Sequence, residues 1–228
     1  MKPIPQSCNG IFLSGRTFDD YRAMFLLSDE EIRNARILDC PGGTSDFGLV
    51  VRERGGDAVS ADPLYNLGAE ELRRRITLDR QAMSRYAREN RCLYADGAES
   101  AFASWKTSQN AFLEDYERDA ARELRHYRRA ALPSLPFPDD HFDIVVSAFL
   151  LFVYDTTFDV EFHCRALTEL ARVSSGTVRV HPVGDEHGRP YPHLGQLEAA
   201  LPQFAFEFTA VSGVYRSRPQ MTLTLKRV

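Results

Sequence analysis

The run Arg36-Ile-Leu-Asp-Cys-Pro-Gly-Gly-Thr-Ser-Asp-Phe47 limits the choice of fold more than any other stretch of the chain. A short apolar segment ends in Asp39. Two adjacent glycines, Gly42 and Gly43, follow, and a helical pattern begins at Ser45 with Phe47, Leu49, Val50 and Val51. Glycine lets the chain turn sharply and lets a ligand come close to the backbone. The N–H groups of the first helical turn have no partner within the helix and point at whatever occupies the turn. Such a corner belongs at the carboxyl end of a strand, where open α/β sheets bind their ligands.

A second unit follows at once. Gly55-Gly56 leads into Ala58-Val59-Ser60-Ala61, an apolar strand that ends in Asp62 and Pro63. An acid at the tip of this second strand can accept hydrogen bonds from both ribose hydroxyls of a nucleoside. The G-x-G-x-x-G spacing that admits a pyrophosphate is absent, as is the P-loop pattern. The first turn instead resembles the acid-x-Gly-x-Gly-x-Gly motif of class I S-adenosylmethionine (SAM)-dependent methyltransferases. On that template Asp39 is the acid, Pro41 stands at the first glycine, Gly43 at the second and Ser45 at the third. Two further stretches are similar to the same family and arrive in its order. Leu135-Pro-Phe-Pro-Asp-Asp-His-Phe-Asp-Ile-Val-Val-Ser147 leads into a fourth strand, and Leu167-Thr-Glu-Leu-Ala-Arg-Val173 precedes a fifth.

The resemblance implies a Rossmann-like α/β fold: a seven-stranded, mostly parallel sheet with an antiparallel last strand. It covers residues 35–63 and 128–183. With 228 residues the chain is read as a single SAM-binding domain over 1–228. Residues 1–34 supply N-terminal capping helices. The first spans Thr17–Leu27, and a capping box opens the second at Ser28-Asp29-Glu30-Glu31. Residues 66–127 form a helical insertion between strands 2 and 3. Leu72, Ile76, Met83 and Tyr86 mark one helical face, and separate shorter helices are expected over 96–106 and 112–127. The arginines of this region, including the Arg73-Arg74-Arg75 run, are expected to be solvated. Strand three is expected over Tyr127–Leu132, with Ala130 and Ala131 where the family carries an acid near adenine. Strand four is placed at Phe142–Ser147, a helix at Thr157–Val173 and strand five at Thr177–Pro182. Another helix follows at Pro192–Leu201, and 204–211 and 221–228 form a closing hairpin. The loop between those last strands carries Tyr215, Arg216 and Arg218.

Composition narrows the partners. The net charge of −4 offers no bulk attraction to nucleic acid. No apolar run approaches the roughly 20 residues that span a bilayer, and no signal-peptide core is present. Cys8, Cys40, Cys92 and Cys164 are scattered and read as reduced thiols of a cytoplasmic protein. A homodimer is compatible with this composition.

The resemblance implies SAM as cofactor and methyl transfer to a small molecule. Asp39, Pro41, Gly42, Gly43, Asp62, Pro63 and Ser147 are the expected cofactor contacts, with Tyr21 and Arg22 offering a ring and a guanidinium to the methionine end. The acceptor should lie beside strands four and five, near Ser147, Phe149, Tyr154, His181 and Tyr191. His181 is the candidate base, and Tyr154 is the aromatic ring for the sulfonium. His181, Asp185, Glu186, His187 and His193 crowd one loop, but their spacing fits no metal site, so no metal is expected. Two other readings stay open. One is an enzyme that cyclises or cleaves SAM, and the other is a non-catalytic SAM-binding subunit.

Overall fold

The computed structural model describes residues 11–90, 98–185, 188–212 and 218–228, with residues 98–102 described by backbone alone. The elements run α1 (Phe18–Phe25), α2 (Asp29–Asn34), β1 (Arg36–Asp39), α3 (Phe47–Glu53), β2 (Asp57–Ala61), α4 (Ala69–Glu89), α5 (Ala98–Arg122), β3 (Tyr127–Arg128), β4 (Phe142–Ala148), α6 (Val160–Arg172), β5 (Ser174–His181), α7 (Leu194–Ala200), β6 (Phe204–Val211) and β7 (Gln220–Arg227). The seven strands form one sheet in the order β3-β2-β1-β4-β5-β7-β6. The first five are parallel, and β7 runs antiparallel to both β5 and β6. This is the sheet that the sequence predicts.

Both faces of the sheet are covered. Alternate residues of β1 divide between them: Leu38 packs with α6 and α7, and Ile37 with α1, α2 and α3. That two-sided burial explains the continuous apolar runs of the central strands. The capping boxes close as read. Thr17 and Asp20 exchange hydrogen bonds at the start of α1, and Ser28 and Glu31 do the same at α2.

The family-like Leu-x-Glu-x-x-Arg stretch has a mechanical role. Glu169 and Arg172 on α6 hold the connection from β3 to β4. The Leu135 N–H donates to Glu169 at 2.6 Å, and Arg172 donates to the Phe137 carbonyl at 3.0 Å and to Asp139 at 2.6 Å. That connection, residues 129–141, carries no helix of its own.

The middle region departs from expectation. Residues 98–122 are one continuous helix of 25 residues, not two short ones. The polar stretch Lys106-Thr-Ser-Gln-Asn110 reads like a break, but Ser108 and Gln109 are buried and bonded across the fold. Strand three is also shorter, only Tyr127–Arg128. Arg73 pairs with Glu117 and Arg74 with Glu71 at the surface, as a solvated face would, but Arg75 turns inward. Tyr215, Arg216, Glu186, His187, Cys8 and Cys92 lie outside the described residues.

Candidate functional site

The carboxyl ends of β1, β2 and β4 open into a cavity of about 300 Å³. Its floor is the β1–α3 turn. Pro41, Gly42, Gly43, Asp62 and Pro63, all expected from the sequence, line it, and so does Tyr21. The turn is held from below. The Gly42 N–H donates to the Ala61 carbonyl at 2.9 Å, and the Tyr65 hydroxyl donates to the Gly43 carbonyl at 2.8 Å. A Cβ at Gly42 would meet the Tyr65 hydroxyl at 2.5 Å and Ser60 Cβ at 2.8 Å, so only glycine fits. Gly43 has φ of +54°, which disfavours any residue with a side chain.

Asp62 braces this turn. Its carboxylate accepts from the Gly43 N–H at 3.1 Å and from the Leu64 N–H at 2.9 Å. An ionised carboxylate offers about four acceptor sites, so capacity remains on the cavity side. Burial pushes the Asp62 carboxyl up to about 6, although the two N–H groups and the Arg75 guanidinium favour its anion.

Asp39 lies on the α1 side of β1 and is 1% exposed. Neither of its oxygens has a hydrogen-bond partner among the described residues. Burial raises its pKa strongly, and the charge of Asp62 adds to the rise. The nearby Tyr21 phenol favours the anion, yet the pair falls short of a full hydrogen bond. Tyr21 is fixed by stacking on Phe47, with ring centroids 4.6 Å apart, and burial, followed by Asp39, pushes its own phenol upward. A buried acid without a donor is costly unless something supplies one.

The roof is a segment that the sequence did not mark. Residues 11–16, which belong to no helix or strand, border the cavity as a strap. The Leu13 N–H donates to Asp79 of α4 at 3.0 Å, Ser108 of α5 donates to the Arg16 carbonyl at 3.1 Å, and Thr44 donates to the Ser14 carbonyl at 3.0 Å. The strap presents Arg16, whose guanidinium lies 3.4 Å from the centre of the Phe149 ring and 5.2 Å from that of Trp105. Arg16 also bonds Ser14. Phe149 itself sits at the exit of β4 with φ of +50°, a rare conformation for a bulky residue and one concentrated at functional sites. Leu132, Leu150, Phe158 and Phe162 complete the far wall, beside Ala130 and Ala131.

Six expected site residues are not in the wall. Arg22 points to solvent and pairs with Asp29 at 3.0 Å, and the wall contains Arg16 instead. Ser147 is fully buried beneath the floor, with no hydrogen-bond partner for its hydroxyl among the described residues. The Tyr154 hydroxyl accepts the Phe12 N–H at 3.1 Å, so it fastens the strap. His181 is 2% exposed and lies behind Phe149 rather than at the pocket mouth. The Thr222 hydroxyl donates to the Met24 carbonyl, so it must accept from His181 Nδ1, 2.8 Å away. Burial, and then the Arg16 charge, lower the pKa of His181 to about 3. It is a neutral structural imidazole. Tyr191 is likewise buried, tilted against His163. Asp39 lies behind the wall rather than in it. Among the described residues no cluster of metal-ligating side chains occurs, and no helix is long and apolar enough to cross a membrane.

No protein-family model matches the chain. An uncharacterized protein of Methanocaldococcus jannaschii is 29% identical over 207 residues, which cover 86% of this chain and 90% of that protein. Among solved structures, the 1,6-didemethyltoxoflavin-N1-methyltransferase of Burkholderia thailandensis was crystallised with 1,6-didemethyltoxoflavin and S-adenosylhomocysteine. It matches 90% of this chain and 76% of its own at 13% identity, with a TM-score of 0.51. The magnesium protoporphyrin IX methyltransferase of Synechocystis, crystallised with SAM, matches 92% and 78% at 11% identity, with a TM-score of 0.49. The sheet order with its reversed β7, taken with the near full-length match to the toxoflavin enzyme, establishes that this chain has the class I SAM-dependent methyltransferase fold.

Proposed function

We propose that this protein is a SAM-dependent methyltransferase with a small-molecule acceptor. The observation that carries the reading is the pocket floor, where the glycine turn meets Asp62, with Asp39 buried behind it and its carboxylate oxygens without a hydrogen-bond partner among the described residues. The residues present fit the cofactor. Asp62, braced by two backbone N–H groups, retains acceptor sites for the ribose hydroxyls. Gly42 and Gly43 bring bare backbone to the ligand. Asp39 and Tyr21 lie where an ammonium would find a carboxylate, and Arg16 offers its guanidinium to the carboxylate of the same amino-acid end. Ala130, Ala131, Pro63 and Leu64 are apolar wall residues against which the base would lie. SAM, when bound, supplies an electrophilic methyl group, so the chain's task is to bind, align and exclude water.

The test is calorimetry with SAM and S-adenosylhomocysteine, followed by mass spectrometry of the nucleoside product. Binding of both, with S-adenosylhomocysteine formed in the presence of acceptor, is expected. Methylthioadenosine as the product would replace methyl transfer with cleavage or cyclisation of the cofactor. Binding without turnover on any acceptor would favour a non-catalytic subunit.

A further inference from the structure

We infer that the acceptor is an uncharged, apolar aromatic molecule, methylated on an atom that needs no proton removed by the protein, such as a thiol sulfur. This rests on the methyltransferase reading above. Once the nucleoside and amino-acid ends are assigned to the floor and to Arg16, most of the cavity wall left over is apolar, and its rings are Phe12, Phe149, Phe158 and Phe162. Phe158 and Phe162 stack at 4.3 Å with an interplanar angle of 11°, and both are only half-buried. They present a ready-made aromatic platform at the start of α6. Rings that are fixed and partly exposed contribute stacking to a bound ring beyond simple area burial.

The same wall is poor in chemistry. The ionisable side chains that line the cavity, among the described residues, are Arg16, Tyr21, Cys40, Asp62 and Arg75. Arginine cannot act as a base. Burial, then Asp39, holds the Cys40 thiol and the Tyr21 phenol protonated. Asp62 is committed to Gly43, Leu64 and the ribose. His181, the natural candidate, is turned away to Thr222. A charged acceptor would also lose its hydration in this largely apolar chamber, where the two cations of the wall, Arg16 and Arg75, are set toward the amino-acid end and toward Asp62.

A thiol meets both conditions. It is apolar and neutral when it enters, and it ionises readily enough, with a pKa of about 8.5 for a simple thiol against about 10 for a phenol, to release its proton to water unaided. The sulfur–carbon bond forms as the sulfonium–methyl bond breaks, with that electron pair kept by the departing thioether of S-adenosylhomocysteine.

One ring system tests this. Protein saturated with S-adenosylhomocysteine is titrated with 2-naphthalenethiol, 2-naphthol and 2-naphthoate at pH 6. The thiol and the naphthol should bind alike, and the carboxylate weaker by on the order of tenfold or more. Phe158→Ala and Phe162→Ala should each weaken the neutral pair several-fold without changing S-adenosylhomocysteine affinity. With SAM, the thiol should be methylated and the naphthol slower by on the order of a hundredfold, the deficit left by a missing base. Several outcomes would overturn the inference: naphthoate binding as tightly as the neutral rings, no binding of any neutral ring, naphthol turnover matching that of the thiol, or indifference to both phenylalanine variants. Failure of the methyltransferase reading shows up separately, either as no uptake of S-adenosylhomocysteine by the wild-type protein in the first titration or, with SAM, as methylthioadenosine or no turnover although the neutral rings bind.

Discussion

Asp62 braces the turn at a cost to stability, and removing its charge should expose both effects. In Asp62→Asn the shape is kept. The Gly43 and Leu64 N–H groups bond different carboxylate oxygens, so the amide oxygen can accept from only one of them and the amide NH2 faces the other. The carboxyl rises from 3.8 to about 6 on folding, so the folded state prefers it protonated. For an acid raised in this way, the neutral form contributes its full stability below 3.8, and that stability is lost as pH rises through 6. The displacement corresponds to about 3 kcal/mol at 1.36 kcal/mol per pH unit. Below pH 4 the wild-type carboxyl and the amide are both neutral, and the ligand-free variant should be the less stable by about 1–3 kcal/mol, the cost of one buried N–H left unpaired. By pH 7.5 the difference should have moved in the variant's favour by up to about 3 kcal/mol. Asp39 is present in both proteins and feels the Asp62 charge, which alters the size of this movement and not its direction. Cofactor binding should move the other way. The loss of charge-assisted bonds to ribose, worth about 1.5–3 kcal/mol, weakens SAM by roughly 10- to 100-fold. Urea melts from pH 4 to 7.5 and calorimetry at pH 7.5 read both arms. A stability difference that does not change with pH would refute the burial argument, and unchanged SAM affinity would remove Asp62 from the ribose site.

Two further outcomes are expected. Arg16→Ala should weaken SAM binding by at least about tenfold through the loss of a charge-assisted contact, whereas Arg22→Ala, which breaks only an exposed pair with Asp29, should leave binding intact and change stability by less than about 1 kcal/mol. Equal effects in calorimetry would mean that the strap does not carry the guanidinium of the site. Gly42→Ala should lower stability by about 1–3 kcal/mol, because the added methyl meets Tyr65 and Ser60 at under 3 Å, and a thermal melt indistinguishable from wild type would refute the tight packing of the turn.

The sheet and the floor of the pocket were legible because they are local. An acid, two glycines and a helix start are adjacent in the chain, and the geometry they require is short-range. The error over Arg22 shows where that ends. Neighbouring residues on a helix are about 100° apart around its axis, so once Tyr21 faces the pocket, Arg22 must face away. Arg16 lies just before the N-cap of α1, where helical periodicity gives no signal. His181 could not be placed from sequence either. Its burial depends on Thr222 of β7 and on the α1 residues Met24 and Phe25, which come together only in the finished fold. The single long α5 was missed because its buried polar residues serve distant partners: Ser108 bonds the strap, and so does Gln109, 3.5 Å from the Leu13 carbonyl. Periodicity reads such residues as surface.

The strap also bears on the order in which the molecule is assembled. Its partners are far along the chain: Asp79 is 66 residues from Leu13, Ser108 is 92 from Arg16, and Tyr154 is 142 from Phe12. A nascent chain emerging at about 5–20 residues per second would hold the strap undocked for roughly 7 to 28 s, until β4 and the loop beyond it had left the ribosome. Contacts that close loops this long are among the slow, late events of folding. Substitutions in the strap should therefore leave the folding rate nearly unchanged and act mainly by speeding unfolding. The roof of the pocket would be among the later parts to form and, by the same reasoning, among the earlier ones to open.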